Sequence, residues 1–336
     1  MTDYRERQNR RAAFVQWMVW SIENYDCDPS IFMANYLFDR FEHNIEQKLW
    51  ICWLYGTNYY FPTTWVVWNE FPDFELVDEE RLTGWNSSHY KKLRYQTDTK
   101  YNKGHLPAQF ASYRNWVGQR SQRYAMASFY GDNEKQTYQN LTDQAYKHFY
   151  KFGRYSTWFY LQALRHCAGV PLQPKDLLLS DYSGSRSHRN GLLLALGKDE
   201  KIDEKLTAGE YTDLESVAAE ILEQVRELVS PDKRSMVDFF AMETCLCSFK
   251  KIFRVKRGRY LGYYLDRQAE EIQRVQDDGW DGINWKPLWQ ARSETIQDRS
   301  LLGGYIQEEK MSHFLETGQI HPSTFKTAST LEGMFE

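Results

Sequence analysis

Eleven consecutive residues, Asp181-Tyr-Ser-Gly-Ser-Arg-Ser-His-Arg-Asn-Gly191, place hydroxyls, two arginines, a histidine and a carboxylate between two leucine-rich runs. Glycines in such a stretch let the backbone approach a ligand, and Ser187 is positioned to cap a helix running from His188 through Leu196. Free N–H groups at that helix start, with Arg186, His188, Arg189 and the hydroxyls of Ser185 and Ser187, suit an anion such as phosphate. The plainer alternative is a solvated loop with an N-cap serine.

A second group of reactive types recurs at helical spacing. Glu243, Cys247 and Lys250 are four and three residues apart, so a carboxylate, a thiol and an amine share one helix face, with Cys245 in the same run. That combination suffices for general acid/base or nucleophilic chemistry. A Glu-Lys surface stripe crossing a buried cysteine has the same pattern.

Other candidates are more scattered. In Tyr25-Asp-Cys-Asp-Pro29, Asp28 caps a helix whose first turn holds Pro29, while Asp26 is left to a cap, an ammonium group or a metal. Tyr59, Tyr60 and Trp68 stand near Glu70 in the aromatic run from Asn58 to Asp73, where Pro62 and Pro72 bracket about three turns of helix, as in a pocket wall or a packed helix corner. Lys250 to Arg259 contains six cations in ten residues, and Lys251, Arg254, Lys256, Arg257 and Arg259 suit contacts to phosphate backbone.

The elements that must position these residues read as helices. Phe14, Trp17, Met18 and Ile22 form one stripe, and Ile31, Ala34, Leu37, Phe38 and Phe41 a second. Ile45 to Tyr60 is apolar nearly all round, which predicts a helix at the centre of a core. A helix opening at Pro107 and closed by Gly131 interleaves Arg114, Arg120 and Arg123 with Tyr113, Trp116 and Tyr124. Helices follow over 134–152 and 157–167. Thr212-Asp-Leu-Glu215 reads as the capping box of a helix through Val229. Further helices are predicted over 235–253, up to about Gln276, and from Pro287 to Ile296. Strand-like alternation is nearly absent and no internal repeat is visible. The expectation is an all-α fold, a large multi-helix domain of DNA-glycosylase-like kind, with an irregular C-terminal tail. Residues 1–299 would form one catalytic domain, with sub-lobes 1–170 and 171–299, and 300–336 the tail.

Composition sets the limits. The 336 residues are 42% hydrophobic and 26% charged, enough for a sizeable core, and the net charge of −4 does not announce a nucleic-acid binder. Twelve Trp, 23 Tyr and 19 Phe exceed what a core this size needs, and such rings also suit base stacking. Five scattered cysteines make neither a disulfide framework nor a zinc site. No apolar run is long enough for a membrane span, and the charged start lacks a signal-peptide core. Walker, dinucleotide-binding, HExxH and nucleophile-elbow motifs are all missing.

Several blocks together resemble one family. They are Asp26-Cys-Asp-Pro29, the run from Glu46-Gln-Lys-Leu-Trp to Asn58-Tyr-Tyr60, Asn69-Glu-Phe-Pro-Asp73, Gly184-Ser-Arg-Ser-His-Arg-Asn-Gly-Leu192, Glu243-Thr-Cys-Leu-Cys-Ser-Phe-Lys250 and Arg259-Tyr-Leu-Gly-Tyr-Tyr-Leu-Asp-Arg267. Across roughly Tyr25 to Arg292 the chain resembles the bacteriophage amino acid:DNA transferases, relatives of the α-glutamyl/putrescinyl thymine pyrophosphorylases. It departs from them at Leu261, where the family pattern has proline.

The resemblance implies thymidine hypermodification in the cytoplasm of an infected bacterium. A phosphorylated 5-hydroxymethyluracil in double-stranded phage DNA would exchange its phosphate or pyrophosphate for a free amino acid, with no membrane, metal or cofactor involved. That chemistry asks for cations on the leaving group, a base for the nucleophile and aromatic faces around a flipped uracil. Arg186, His188 and Arg189, helped by Ser185, Ser187 and Lys250 or Arg267, would hold the leaving group. Glu243 or Asp181 would be the base. Tyr59, Tyr60 or Trp68 would stack, Asp26 and Glu70 would hold the amino acid, and Cys245 or Cys247 would trap an elimination intermediate. If so, Arg186 and Glu243 should open onto one pocket. Two competing readings are a non-catalytic helical DNA-binding accessory and a base-excising glycosylase.

Overall fold

The computed structural model describes residues 6–181, 186–252 and 261–296. Ser185, Arg254, Lys256, Arg257, Arg259 and the C-terminal tail lie outside the described residues.

Among the described residues the fold is all-α, without strands. Its helices are α1 (Arg10–Glu23), α2 (Pro29–Arg40), α3 (Ile45–Asn58), α4 (Phe61–Glu70), α5 (Glu79–His89), α6 (Leu106–Val117) and α7 (Gln122–Ala127). There follow α8 (Glu134–His148), α9 (Arg154–Ala168), α10 (Ser187–Ala195), α11 (Ala208–Leu228), α12 (Phe239–Phe249), α13 (Tyr263–Asp277) and α14 (Lys286–Ile296). They fall into two compact units. The first holds the described residues of Met1–Pro29, Lys175–Gln268 and Ser293–Glu336, and the second is Ser30–Pro174 with Ala269–Arg292.

In the second unit α3 is the axis. Every residue from Leu49 to Asn58 is buried, as expected of a helix apolar on all sides. Its start is fixed by a capping box in which Asn44 accepts from the Gln47 N–H and the Gln47 side chain accepts from the Asn44 N–H. Trp50 and Trp53 stack with centroids 5.2 Å apart, and Trp53 also stacks on Tyr113 at 5.0 Å and Phe152 at 6.0 Å. The backbones of α3 and α9 nearly touch at Gly56, where a Cβ would lie 2.6 Å from the Tyr160 Cβ.

The first unit is built on α1, α10, α11 and α12. Phe14 and Trp17 set their ring edges on Phe249, with centroids 5.3 and 5.8 Å apart. The buried Trp17 indole N–H donates to the Ser248 hydroxyl at 3.1 Å.

Three sequence expectations are corrected here. The helix expected from Pro107 to Gly131 is two, α6 and α7, because Gly118 leaves α6 at φ 66° and Ser121 caps α7 by accepting from the Tyr124 N–H. Of its interleaved aromatics Tyr113 and Trp116 are buried while Tyr124 is exposed, and Arg114 donates to the carbonyls of Phe74 and Val77. The capping box of α11 is Thr207 with Glu210, five residues before the Thr212 and Glu215 expected from the sequence. Glu215 instead accepts the backbone N–H groups of Leu177 and Leu179, both at 2.9 Å. Finally, Ser187 is the first residue of α10 rather than its cap; the N-cap is Arg186, which makes no side-chain cap hydrogen bond.

Candidate active site

The geometry of the first unit's site follows from one glycine. A Cβ on Gly191 would sit 2.3 Å from the Leu246 carbonyl oxygen and 2.8 Å from its carbon, so α10 lies backbone against backbone on α12. Ser187 and His188 are one turn before Gly191, while Glu243 and Cys247 flank Leu246 on α12. The close approach therefore brings these four side chains together.

The His188 Nδ1 stands 3.8 Å from Glu243 Oε1, and the Cys247 thiol donates to the same oxygen at 3.2 Å. His188 and Glu243 are 2% and 7% exposed, so the charge on this carboxylate is poorly screened by water. Burial pushes the Cys247 thiol up to about 12, the Glu243 charge adds to this, and a hydrogen bond with Ser187 and the charge of Lys251 pull the other way. At neutral pH Cys247 is thus a thiol that donates to Glu243 rather than a thiolate. Burial likewise raises Cys245, which bonds with Ser21 and feels the charges of both Asp26 and Glu243.

Asp26 is buried at the start of α13. Its carboxylate accepts from the backbone N–H groups of Gly262 at 2.9 Å, Tyr264 at 2.9 Å and Leu265 at 3.1 Å. Those are N–H groups that a helix start leaves without intrahelical partners. Burial pushes the Asp26 carboxyl up to about 8, with these donors pulling against it. Asp238 caps α12 by accepting from the Ala241 N–H at 2.9 Å.

The remaining candidates fall as follows. Arg186 is exposed and donates to the Asp203 carbonyl at 3.3 Å, and Asn190 donates to the Asp203 carboxylate at 2.8 Å. Arg189 is 1% exposed and turns toward the Leu179 carbonyl, 3.2 Å away, and the Tyr211 hydroxyl, 3.5 Å away. Asp181, Lys250, Lys251 and Arg267 are half-buried. Tyr59, Tyr60, Trp68 and Glu70 belong to the second unit. Tyr59 ends α3 at φ 46° with its ring face to face with Phe159, Tyr60 is the N-cap of α4, and Trp68 packs edge-on to His43 at 4.9 Å. Glu70 is ion-paired with Arg81.

Sequence reasoning singled out Glu243, Cys247 and His188 as candidates but missed what joins them. Gly191 closed a polar loop in the sequence, and its one available signal was a glycine inside a leucine-rich helix, which marks a close backbone approach. The partnership of Asp26 with α13 spans 236 residues and has no local signature.

A model of the amino acid:DNA transferase family matches residues 26–258, a stretch that contains Asp26, α10 and α12. A serinyltransferase of Salmonella phage ViI is 27% identical over 341 residues, covering 94% of this chain and 82% of that protein. No solved structure matches the chain.

Proposed function

Because the chain belongs to the amino acid:DNA transferase family, we propose that it replaces the phosphate or pyrophosphate of a 5-(phosphomethyl)uracil in phage DNA with an amino acid, in the infected host's cytoplasm. The observation that carries the residue assignment is the buried Glu243 carboxylate, held between the His188 imidazole and the Cys247 thiol.

In this reading Glu243 is the general base. The amino or hydroxyl group of the incoming amino acid gives its proton to Glu243 as its heteroatom bonds to the C5 methylene. The methylene C–O bond breaks, and the phosphate leaves with the electron pair. The Cys247 hydrogen bond holds the carboxylate in one rotamer, and the buried His188 ring lies beside it. Lys251, whose charge acts on Cys247, favours the departing anion, and Arg186 at the start of α10 is a second candidate cation for it. The phage ViI relative makes serine the first amino acid to test.

The test is direct. The protein is incubated with DNA bearing 5-phosphomethyluracil or its pyrophosphate and with each amino acid in turn, and the digested nucleosides are weighed by mass spectrometry. The expected product is uracil joined through its methylene to an amino acid, with phosphate or pyrophosphate released. Unchanged nucleoside with every amino acid and both leaving groups would overturn the proposal, and abasic sites would indicate a glycosylase instead.

A further inference from the structure

The arginines of the second unit are largely occupied. Arg81 pairs with Glu70, Arg94 with Asp278 through two bonds, Arg114 with Glu79 and Arg165 with Glu134. Its lysines behave differently over one region. Lys91, Lys100, Lys147 and Lys151 are exposed and Lys103 half-buried, and among the described residues none of the five forms an ion pair with a carboxylate.

Direct contacts tie this region together. The Lys103 ammonium donates to the Lys91 carbonyl at 2.8 Å, and the ring of Tyr90 rests against Gly104. Lys151 Nζ stands 2.8 Å from the Nε2 of His105, the residue before α6, and the Tyr150 ring lies 6.0 Å from that imidazole. Lys100 is one turn before Lys103, and Lys147 is in the last turn of α8, just before Tyr150. Two tyrosines stand out from the same segments: Tyr101 is 78% and Tyr150 45% exposed.

In a chain of net charge −4, five lysines on one body that form no ion pair among the described residues make a local field that attracts a polyanion. Backbone phosphates are met by lysine ammonium groups and by tyrosine hydroxyls, without sequence preference. We propose that this face of the second unit, centred on Lys100, Lys103 and Lys151, binds the phosphate backbone of duplex DNA. It is distinct in sequence from the Lys250 to Arg259 stretch. The inference rests on the reading of DNA as the substrate and adds the surface that holds it.

The full-length protein is titrated against an unmodified DNA duplex, with no amino acid present, across a salt series. The triple reversal Lys100→Glu, Lys103→Glu, Lys151→Glu is compared with a control of equal charge change, Lys135→Glu, Lys205→Glu, Lys286→Glu. The expected result is an affinity loss of about tenfold or more for the first, with a salt slope shallower by about 2 to 3, and an affinity within about twofold for the control. A neutral triple, each lysine changed to Gln, should fall between them, and equal far-ultraviolet helicity checks folding. Wild-type affinity and slope in both the Glu and Gln triples would overturn the proposal, as would an equal loss in the control. The transferase reading fails separately. If the wild-type protein binds duplex through this face yet transfers no amino acid, the surface stands and the function falls. If it transfers while the triples bind normally, the reverse holds.

Discussion

Each unit contains a pair of helices pressed together at a glycine, and the two pairs bury opposite kinds of chemistry. Gly56 brings α3 against α9, where a Cβ would come within 2.6 Å of the Tyr160 Cβ, and the surroundings are Trp50, Trp53, Phe152 and other rings. Gly191 brings α10 against α12, where a Cβ would come within 2.3 Å of the Leu246 carbonyl, and the surroundings include Ser187, His188, Glu243 and Cys247. Close approach in the first case maximises contact between apolar surfaces, which stabilises in proportion to area buried. In the second it forces polar groups into hydrogen-bond range in a region poor in water, where each charge acts strongly on its neighbours. One packing device thus makes an aromatic core in one unit and a buried polar cluster in the other.

The contrast can be broken at its strongest point with Glu243→Gln, which keeps shape and removes the base. Transfer should fall by about 10²–10⁴-fold, the range for loss of a general base, while the thermal midpoint stays close to wild type. Turnover kept within a few fold would remove Glu243 from the chemistry. Next comes Gly191→Ala. The added methyl must push α10 off α12, so kcat should drop by about 10²-fold, the scale of a misplacement of about 1 Å, in protein that is still folded.

Gly56→Ala sharpens the other side of the comparison. Its methyl meets the Cβ of Tyr160 and, at 3.1 Å, the Cα, neither of which can rotate away, so stability should fall by about 1–3 kcal/mol. Activity per folded molecule should persist, and urea titration beside an activity assay separates the two effects. A large loss of kcat without loss of stability would mean that the aromatic core also positions the site.

The last test concerns pH. Asp26 is pushed up to about 8 by burial, whereas an unfolded aspartate ionises near 3.9. Between these values the folded protein keeps a proton that the unfolded chain has released, so this group's contribution is full below pH ~4 and is lost as pH rises to ~8, at up to ~1.4 kcal/mol per pH unit. Asp26→Asn mimics the neutral form. Its stability relative to wild type should therefore improve from pH 5 to pH 8, and a constant difference across that range, measured by urea unfolding, would contradict the assignment.

Much of the molecule was legible from residue order. The all-round apolar run of Ile45 to Tyr60 became the buried α3, and Pro62 and Pro72 bracketed α4 as proline's fixed φ requires. The four-residue spacing of Glu243 and Cys247 put both on one face of α12, where they now share a hydrogen bond. Errors arose where a local signal had two uses. Thr212 and Glu215 matched a capping box, yet Thr207 and Glu210 matched it too, and only the Leu177 and Leu179 N–H groups decided what Glu215 does. Tyr113 and Trp116 among arginines looked like a stacking surface, but their helical phase alone did not reveal that Phe149 and Trp53 lay waiting on that side.

Helix formation, caps and the side chains that share a helix face depend on residues within a few positions of one another, and the sequence by itself determined these. The meeting of His188 with Glu243, 55 residues on, and of Asp26 with the start of α13 depends on which helices lie together. Only the tertiary structure decided that, because the close approach at Gly191 and the N–H groups awaiting Asp26 exist once distant segments have been packed and their polar groups must be satisfied.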